Sequence, residues 1–125
     1  MTAYQSIQER AFKFACRIVR LHHTLSRSST VRPLLSQLLR AGTGVGSSLE
    51  EAEAGQSKAD FISKCRISLK EARESLYWLR LLSESGVVKR ARLDDLANEA
   101  NEIVAILTAI VRKASLSPDR GRPTK

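Results

Sequence analysis

Residues 6–25 read SIQERAFKFACRIVRLHHTL. Within this stretch Ile7, Ala11, Phe14, Ile18, Leu21 and Leu25 step by 4, 3, 4, 3 and 4. That spacing keeps one apolar stripe on a single helix face, turned towards a partner helix. Ser6 with Glu9 has the form of a capping box and predicts the helix start there. The polar run Ser26-Arg27-Ser28-Ser29-Thr30 reads as the turn that follows.

Three further segments carry the same period. Pro33, tolerated in a first helical turn, opens the second, with Leu34, Leu38, Gly42, Val45, Leu49 and Ala52 as its stripe and Gly55 as its stop. Ser57 and Asp60 cap the third, whose stripe is Ile62, Cys65, Leu69, Ala72, Leu76 and Leu79 and whose left-handed terminus is Gly86. Leu93, Leu96, Ala100, Ile103, Leu107, Ile110 and Ala114 form the fourth stripe. No segment alternates with the period of a strand. The expected fold class is all-α, an antiparallel up-down-up-down four-helix bundle over residues 1–115. Pro118, Gly121 and Pro123 mark residues 116–125 as a basic, disordered tail.

Composition narrows the function. A chain of 125 residues is one domain, long enough for a core without disulfides or metals. Two cysteines make no disulfide framework. No apolar run approaches a membrane span and the N-terminus has no signal-peptide pattern, so the expected setting is cytoplasmic, with no membrane partner. Charge is the outstanding property: 21 basic against 13 acidic residues give +8, with a pI of about 10.1. A surface of that sign attracts polyanions at long range.

The positive charge falls in rows. Arg10, Lys13, Arg17, Arg20 and Arg27 follow one another at intervals of 3, 4, 3 and 7 along the first segment. Arg66, Lys70, Arg73 and Arg80 make a second row, with Tyr77 among them. Rows at helical spacing neutralise several phosphates at once, and an exposed aromatic ring offers a stacking surface. Other uses remain open: the first row faces a choice of Asp94, Asp95, Glu99 and Glu102, and Lys70 stands four residues before Glu74.

Apolar residues also lie off the main stripes. Phe12, Cys16, Val19 and His23 line the opposite side of the first segment, and Ile67, Trp78 and Leu81 are turned away on the third. Two apolar faces on one helix imply a second partner, so Phe12, Cys16, Val19, Ile67, Trp78 and Leu81 are the expected subunit interface.

Reactive chemistry finds little support. Gly42, Gly44 and Gly46 follow no strand, Ser47 stands where dinucleotide spacing needs glycine, and no Gly-Lys-Ser/Thr follows. They are read instead as a close helix approach or a bend. His22 and His23 are adjacent and diverge by about 100° on a helix, which defeats chelation. The Glu-x-x-His signature of di-iron bundles is absent. Cys65 lies on a core stripe, and Glu50, Glu51 and Glu53 oppose the dipole of the second helix, pointing to a partner such as Lys58 or an arginine of another subunit. The expectation is a non-enzymatic protein without metal or cofactor.

Gly42-Thr43-Gly44-Val45-Gly46, Leu49-Glu50-Glu51-Ala52, Gln56-Ser57-Lys58-Ala59-Asp60-Phe61-Ile62, Leu69-Lys70-Glu71-Ala72-Arg73-Glu74 and Tyr77-Trp78-Leu79 together resemble a bacterial four-helix-bundle family. It includes proteins encoded in intervening sequences of large-subunit ribosomal RNA genes and is related to the accessory variability protein of diversity-generating retroelements. The resemblance is dense from Leu34 to Leu82 and extends by helix layout over residues 4–115. It implies a homopentameric barrel with a central channel and no established catalytic residues. Its retroelement relatives bind nucleic acid and a reverse transcriptase. The chain departs from the family pattern at Ser47-Ser48, where Ala-Asn is common, and at Gly44, where serine is common. The function expected is therefore a homo-oligomer that binds RNA or DNA without strong sequence preference. A scaffold for an acidic protein partner is the alternative.

Overall fold

The computed structural model describes residues 1–116, and among them all regular structure is helical. Four helices follow in order: α1 (Ala3–Leu25), α2 (Arg32–Glu53), α3 (Lys58–Glu84) and α4 (Asp94–Leu116), with a 3-10 turn at Arg90–Arg92 before α4. The tail expected from residue 116 onward lies, beyond Leu116, outside the described residues.

Each helix packs against its neighbours in sequence, and α1 closes the ring on α4. The start of α1 meets the end of α2, since the Tyr4 hydroxyl donates to the Leu49 carbonyl oxygen at 2.6 Å. Ser68 on α3 donates to the Val45 carbonyl at 2.7 Å, and Arg66 near the start of α3 reaches Ser115 at the end of α4. Up-down-up-down topology follows from these pairings.

The apolar stripes converge on one core. Ile7, Ala11, Phe14, Ile18 and Leu21 of α1 are buried with Leu38, Val45 and Leu49 of α2, Cys65, Leu79 and Leu82 of α3, and Ala100, Ile103 and Leu107 of α4. At the start of α2 it is Leu35 that is buried, while the expected Leu34 is only half-buried. In the same way Val111, and not Ile110, ends the α4 stripe. Helix rotation of about 100° per residue makes neighbouring positions close competitors at fraying ends.

The helix ends are set by local chemistry. The capping box is formed by Thr2 and Gln5, not by Ser6 and Glu9: Thr2 Oγ1 accepts from the Gln5 N–H and Gln5 Oε1 accepts from the Thr2 N–H. Ser6 instead donates its backbone N–H to the Thr2 carbonyl as part of the first turn. Ser57 caps α3 by accepting from the Asp60 N–H. Gly86 takes φ +78° after α3, a conformation that only glycine adopts at little cost.

Two of the three glycines of α2 mark close approach. A Cβ on Gly42 would stand 2.9 Å from Ile18 Cγ1, and one on Gly44 would stand 2.5 Å from a Glu71 carboxylate oxygen. Gly46 is different, because a Cβ there would meet Ala11 at an ordinary 3.7 Å. Replacing Gly46 by alanine is expected to raise stability by about 0.5–1 kcal/mol through helix propensity. Gly42→Ala is expected to lower it by about 1 kcal/mol or more, because Ile18 is fixed in the core. Urea midpoints at one fixed protein concentration read both effects.

Candidate nucleic-acid interface

The basic residues differ in what the fold places against them. On α1, Arg10 is engaged: its guanidinium donates twice to Glu99 of α4, at 2.8 and 2.9 Å. This hydrogen bond, ahead of the effect of burial, holds Arg10 still more firmly protonated than usual. Lys13 sits 3.9 Å from Glu9 in the next turn, both well exposed. Arg17 and Arg20 border a recess shared with Arg92 and Asp95. Arg27 does not continue the row, because α1 ends at Leu25 and Arg27 belongs to the following turn.

On α3 the order of charge is more regular. Lys64, Glu71, Glu74 and Trp78 share the edge nearer α2, where Lys64 pairs with Glu51 at 3.3 Å and Arg40 of α2 bridges Glu71 and Glu74. Trp78 Nε1 donates to the same Glu74 carboxylate at 3.2 Å. Glu74 therefore serves Arg40 and Trp78, and the expected pair with Lys70 does not form.

Arg66, Lys70, Arg73 and Arg80 are exposed on the remaining outer face, with Tyr77 open to solvent among them. Arg80 lies 3.5 Å from Glu84, and Arg66 donates to the neutral Ser115 hydroxyl at 3.2 Å. Across from this row α4 presents Thr108, Arg112 and Ser115 beside Arg66. Continued towards the start of α4, the same stripe holds Ala105, Asn101 and Ala97 and ends on Asp94 in the first turn. The acidic residues Asp95, Glu99 and Glu102 occupy the other edge of α4, towards α1.

A basic face thus runs along α3 and α4, with Arg66, Lys70, Arg73 and Arg112 as its members and with Glu84 and Asp94 at its far end. Arg112 was not among the residues singled out from sequence. Its signal was present in the Ala97, Asn101, Ala105, Thr108 and Arg112 spacing of 4, 4, 3 and 4. That stripe acquires meaning only once α3 is known to lie beside it.

Charge also varies along the bundle. The end holding the two loops after α1 and α3 carries Arg27, Arg32, Lys89, Arg90 and Arg92, while the opposite end holds Glu9, Glu50, Glu51 and Glu53. The glutamates of α2 find local partners: Gln8 Nε2 donates to Glu50 and Glu53, and Lys64 takes Glu51.

The off-stripe apolar residues separate into two groups. Phe12 is 65% exposed and Val19 49%, with half-buried Cys16 between them on the solvent side of α1. Ile67 is 43% exposed on α3, whereas Leu81 is half-buried and Trp78 packs partly against the core.

Neither perturbed nucleophile is activated. Burial pushes the Cys65 thiol up, against a smaller opposing effect of its hydrogen bond with Tyr4. Burial likewise pushes the Tyr4 phenol up, reinforced by Cys65, Glu53 and Glu50. Among the described residues no group of three His, Cys, Asp or Glu side chains is placed to hold a metal ion, and no helix is long and apolar enough to cross a membrane.

Fold and surface together define an antiparallel four-helix bundle whose distinguishing chemistry is an ordered array of guanidinium and ammonium groups. The chain belongs to the 23S rRNA-intervening sequence protein family, whose model matches residues 4–109. Its structure is similar to the crystal structure of a protein of unknown function from the S23 ribosomal protein family of Bacteroides thetaiotaomicron VPI-5482. The two share 36% identity with a TM-score of 0.83, over 89% of this chain and 99% of that one. Among curated proteins none matches significantly.

The Arg10–Glu99 pair is expected to act in the bundle and not at a ligand. A double-mutant cycle with Arg10→Gln and Glu99→Gln should give a coupling of about 0.5–1 kcal/mol in urea unfolding, modest because both groups are partly in solvent.

Proposed function

We propose that this protein is a non-catalytic, homo-oligomeric nucleic-acid-binding bundle whose principal contact surface is the α3–α4 face. The observation that carries the reading is the grouping of Arg66, Lys70, Arg73 and Arg112 where no carboxylate faces them. From Arg66 to Arg73 the row extends about 10 Å at the rise of an α-helix, enough to meet neighbouring phosphates of one strand. Rigid helical anchoring fixes the spacing of the cations, while their long side chains adapt to a backbone that varies little with sequence. Binding is accordingly led by charge and shape, with weak base preference. The family description associates its members with 23S rRNA intervening sequences, and structured RNA is the first ligand to try.

Affinity for structured RNA should fall steeply with salt. Changing Arg66, Lys70 and Arg73 together to glutamine should weaken binding and, measured on duplex DNA, flatten the log–log salt slope by about 2 to 3, close to 0.9 per lost phosphate contact. Unchanged affinity and slope would remove this surface. Failure of the wild-type protein to bind RNA or DNA even at low salt would transfer the basic face to an acidic protein partner.

Self-association through exposed apolar residues completes the proposal. Phe12 and Val19 stand on the solvent side of α1, where a subunit in isolation leaves them in water. Phe12→Ser with Val19→Ser should shift the light-scattering mass from an oligomer, expected to be a pentamer, towards a monomer. A wild-type protein that is monomeric at micromolar concentration would overturn this part.

A further inference from the structure

Around the corner from the α3–α4 face lies a second, more local concentration of positive charge. Arg17, Arg20, Leu21 and Thr24 of α1, Ala91 and Arg92 of the 3-10 turn, and Asp95 and Leu96 of α4 line a recess of about 350 Å³. Among the described residues none of the three arginines forms an ion pair, and neither does Asp95. Guanidinium groups do not relieve such crowding by losing a proton. Three of them against one carboxylate leave a net charge of two in one recess.

The surroundings strengthen that charge. Leu21 and Leu96 are buried beneath the rim, at 8% and 5% exposure, so apolar matter backs the polar groups. The first turn of α4 borders the recess; its N–H groups have no carbonyl partner inside their own helix and favour an anion, whereas Asp94 and Asp95 in the same turn oppose one. A doubly charged, oxygen-rich anion matches both features. A phosphomonoester carries about −1.5 to −2 at neutral pH, whereas a phosphodiester within a strand carries a single charge.

We propose that the Arg17–Arg20–Arg92 recess captures the terminal phosphate of a nucleic-acid strand, its 5′-phosphomonoester. For the identity of the strand this rests on the function proposed above; capture of the phosphate itself does not. The placement joins the two sites. The basic row on α3 leads towards the bundle end that also holds the recess, and the connection between them carries Lys89 and Arg90. A strand laid along the α3–α4 face therefore ends beside the recess. Asp95 sets a limit to the site, because its carboxylate repels any anion that does not engage the guanidiniums directly.

The test uses the full-length, nuclease-treated protein with adenosine 5′-monophosphate, adenosine, and a short single-stranded RNA carrying either a 5′-phosphate or a 5′-hydroxyl. The nucleotide, but not adenosine, should shift the Nε–Hε resonances of Arg17, Arg20 and Arg92. Its affinity should fall below about pH 6, where the monoester takes up a proton. The phosphorylated strand should bind about tenfold more tightly than its hydroxyl counterpart, the order expected of a charge-assisted contact. Arg17→Gln with Arg92→Gln should abolish the shifts and bring the ratio to one, with an unchanged circular dichroism spectrum. The Arg66, Lys70 and Arg73 triple variant should weaken both strands and keep the ratio. Arginine resonances that ignore the nucleotide would overturn the site. Shifts with the nucleotide but equal affinity for the two strands would overturn the strand terminus as its ligand. Shifts without binding of either strand would overturn the nucleic-acid reading and leave the phosphate site standing.

Discussion

The distance between α1 and α2 depends on Ile18 meeting a helix that has no side chain at Gly42. A β-carbon there would stand 2.9 Å from Ile18 Cγ1, so the two helices come together as closely as backbone and side chain allow. Each glycine in a helix interior costs about 0.5–1 kcal/mol relative to alanine. The burial of Ile18 and its neighbours, at about 1.5–3 kcal/mol for each large side chain, offsets that cost. From this contact α2 acts as the hub of the bundle. Its α1 side is spaced by Gly42, and its α3 side is fixed by the Ser68 hydroxyl on the Val45 carbonyl.

The same close packing separates the charges. Gly44 makes room for the Glu71 carboxylate against α2, where Arg40 meets it together with Glu74. The acidic side chains in the middle of α3 are thus drawn to its α2 edge and neutralised there. What remains on the α4 side of the helix is basic. On α4 the division is complementary: Asp95, Glu99 and Glu102 face α1, and the stripe towards α3 holds Asp94 in its first turn and no other acid among the described residues. Among the described residues the surplus of positive charge is therefore sorted by helix edges into a surface largely satisfied by ion pairs and a surface left to solvent.

Most of the fold was legible because a helical bundle writes its core as a period. The α1 stripe from Ile7 to Leu21 lies in the core as expected, and Ser57 and Gly86 perform the roles their chemistry suggests. Errors fall where two sequence solutions satisfy one template. Thr2 with Gln5 and Ser6 with Glu9 both fit a capping box, and only the length of the helix decides between them. The Arg90–Arg92 turn has too few residues to show any period. The surface was less legible than the core. Spacing along one helix reveals that Lys70 precedes Glu74 by four residues, but not that Arg40 from another helix competes for the carboxylate. For the same reason the α1 row shows only Glu9 as a carboxylate within its own helix, although Arg10 is held by Glu99 across the helix contact. Arg92 and Arg112 entered no row because each gains its meaning from a neighbouring element.

A flat array of cations on rigid helices makes a particular kind of binder. On the function proposed, the described residues present no protruding recognition helix to enter a groove, so contacts with a strand would fall on phosphate and sugar, which carry little sequence information. Four phosphate contacts on one subunit give only modest affinity at physiological salt, because counterion release is most of the driving force. Repetition of the face in an oligomer alters that balance. Once one subunit is bound, the next contact is intramolecular, and its effective concentration replaces the bulk concentration of the ligand. A strand terminus seated in the arginine recess would add direction to a surface that otherwise reads both strand polarities alike. On the function proposed, the exposed apolar line of α1 and the basic face of α3 and α4 would be parts of one design: the first would gather copies of the bundle, and the second would gain strength from being repeated.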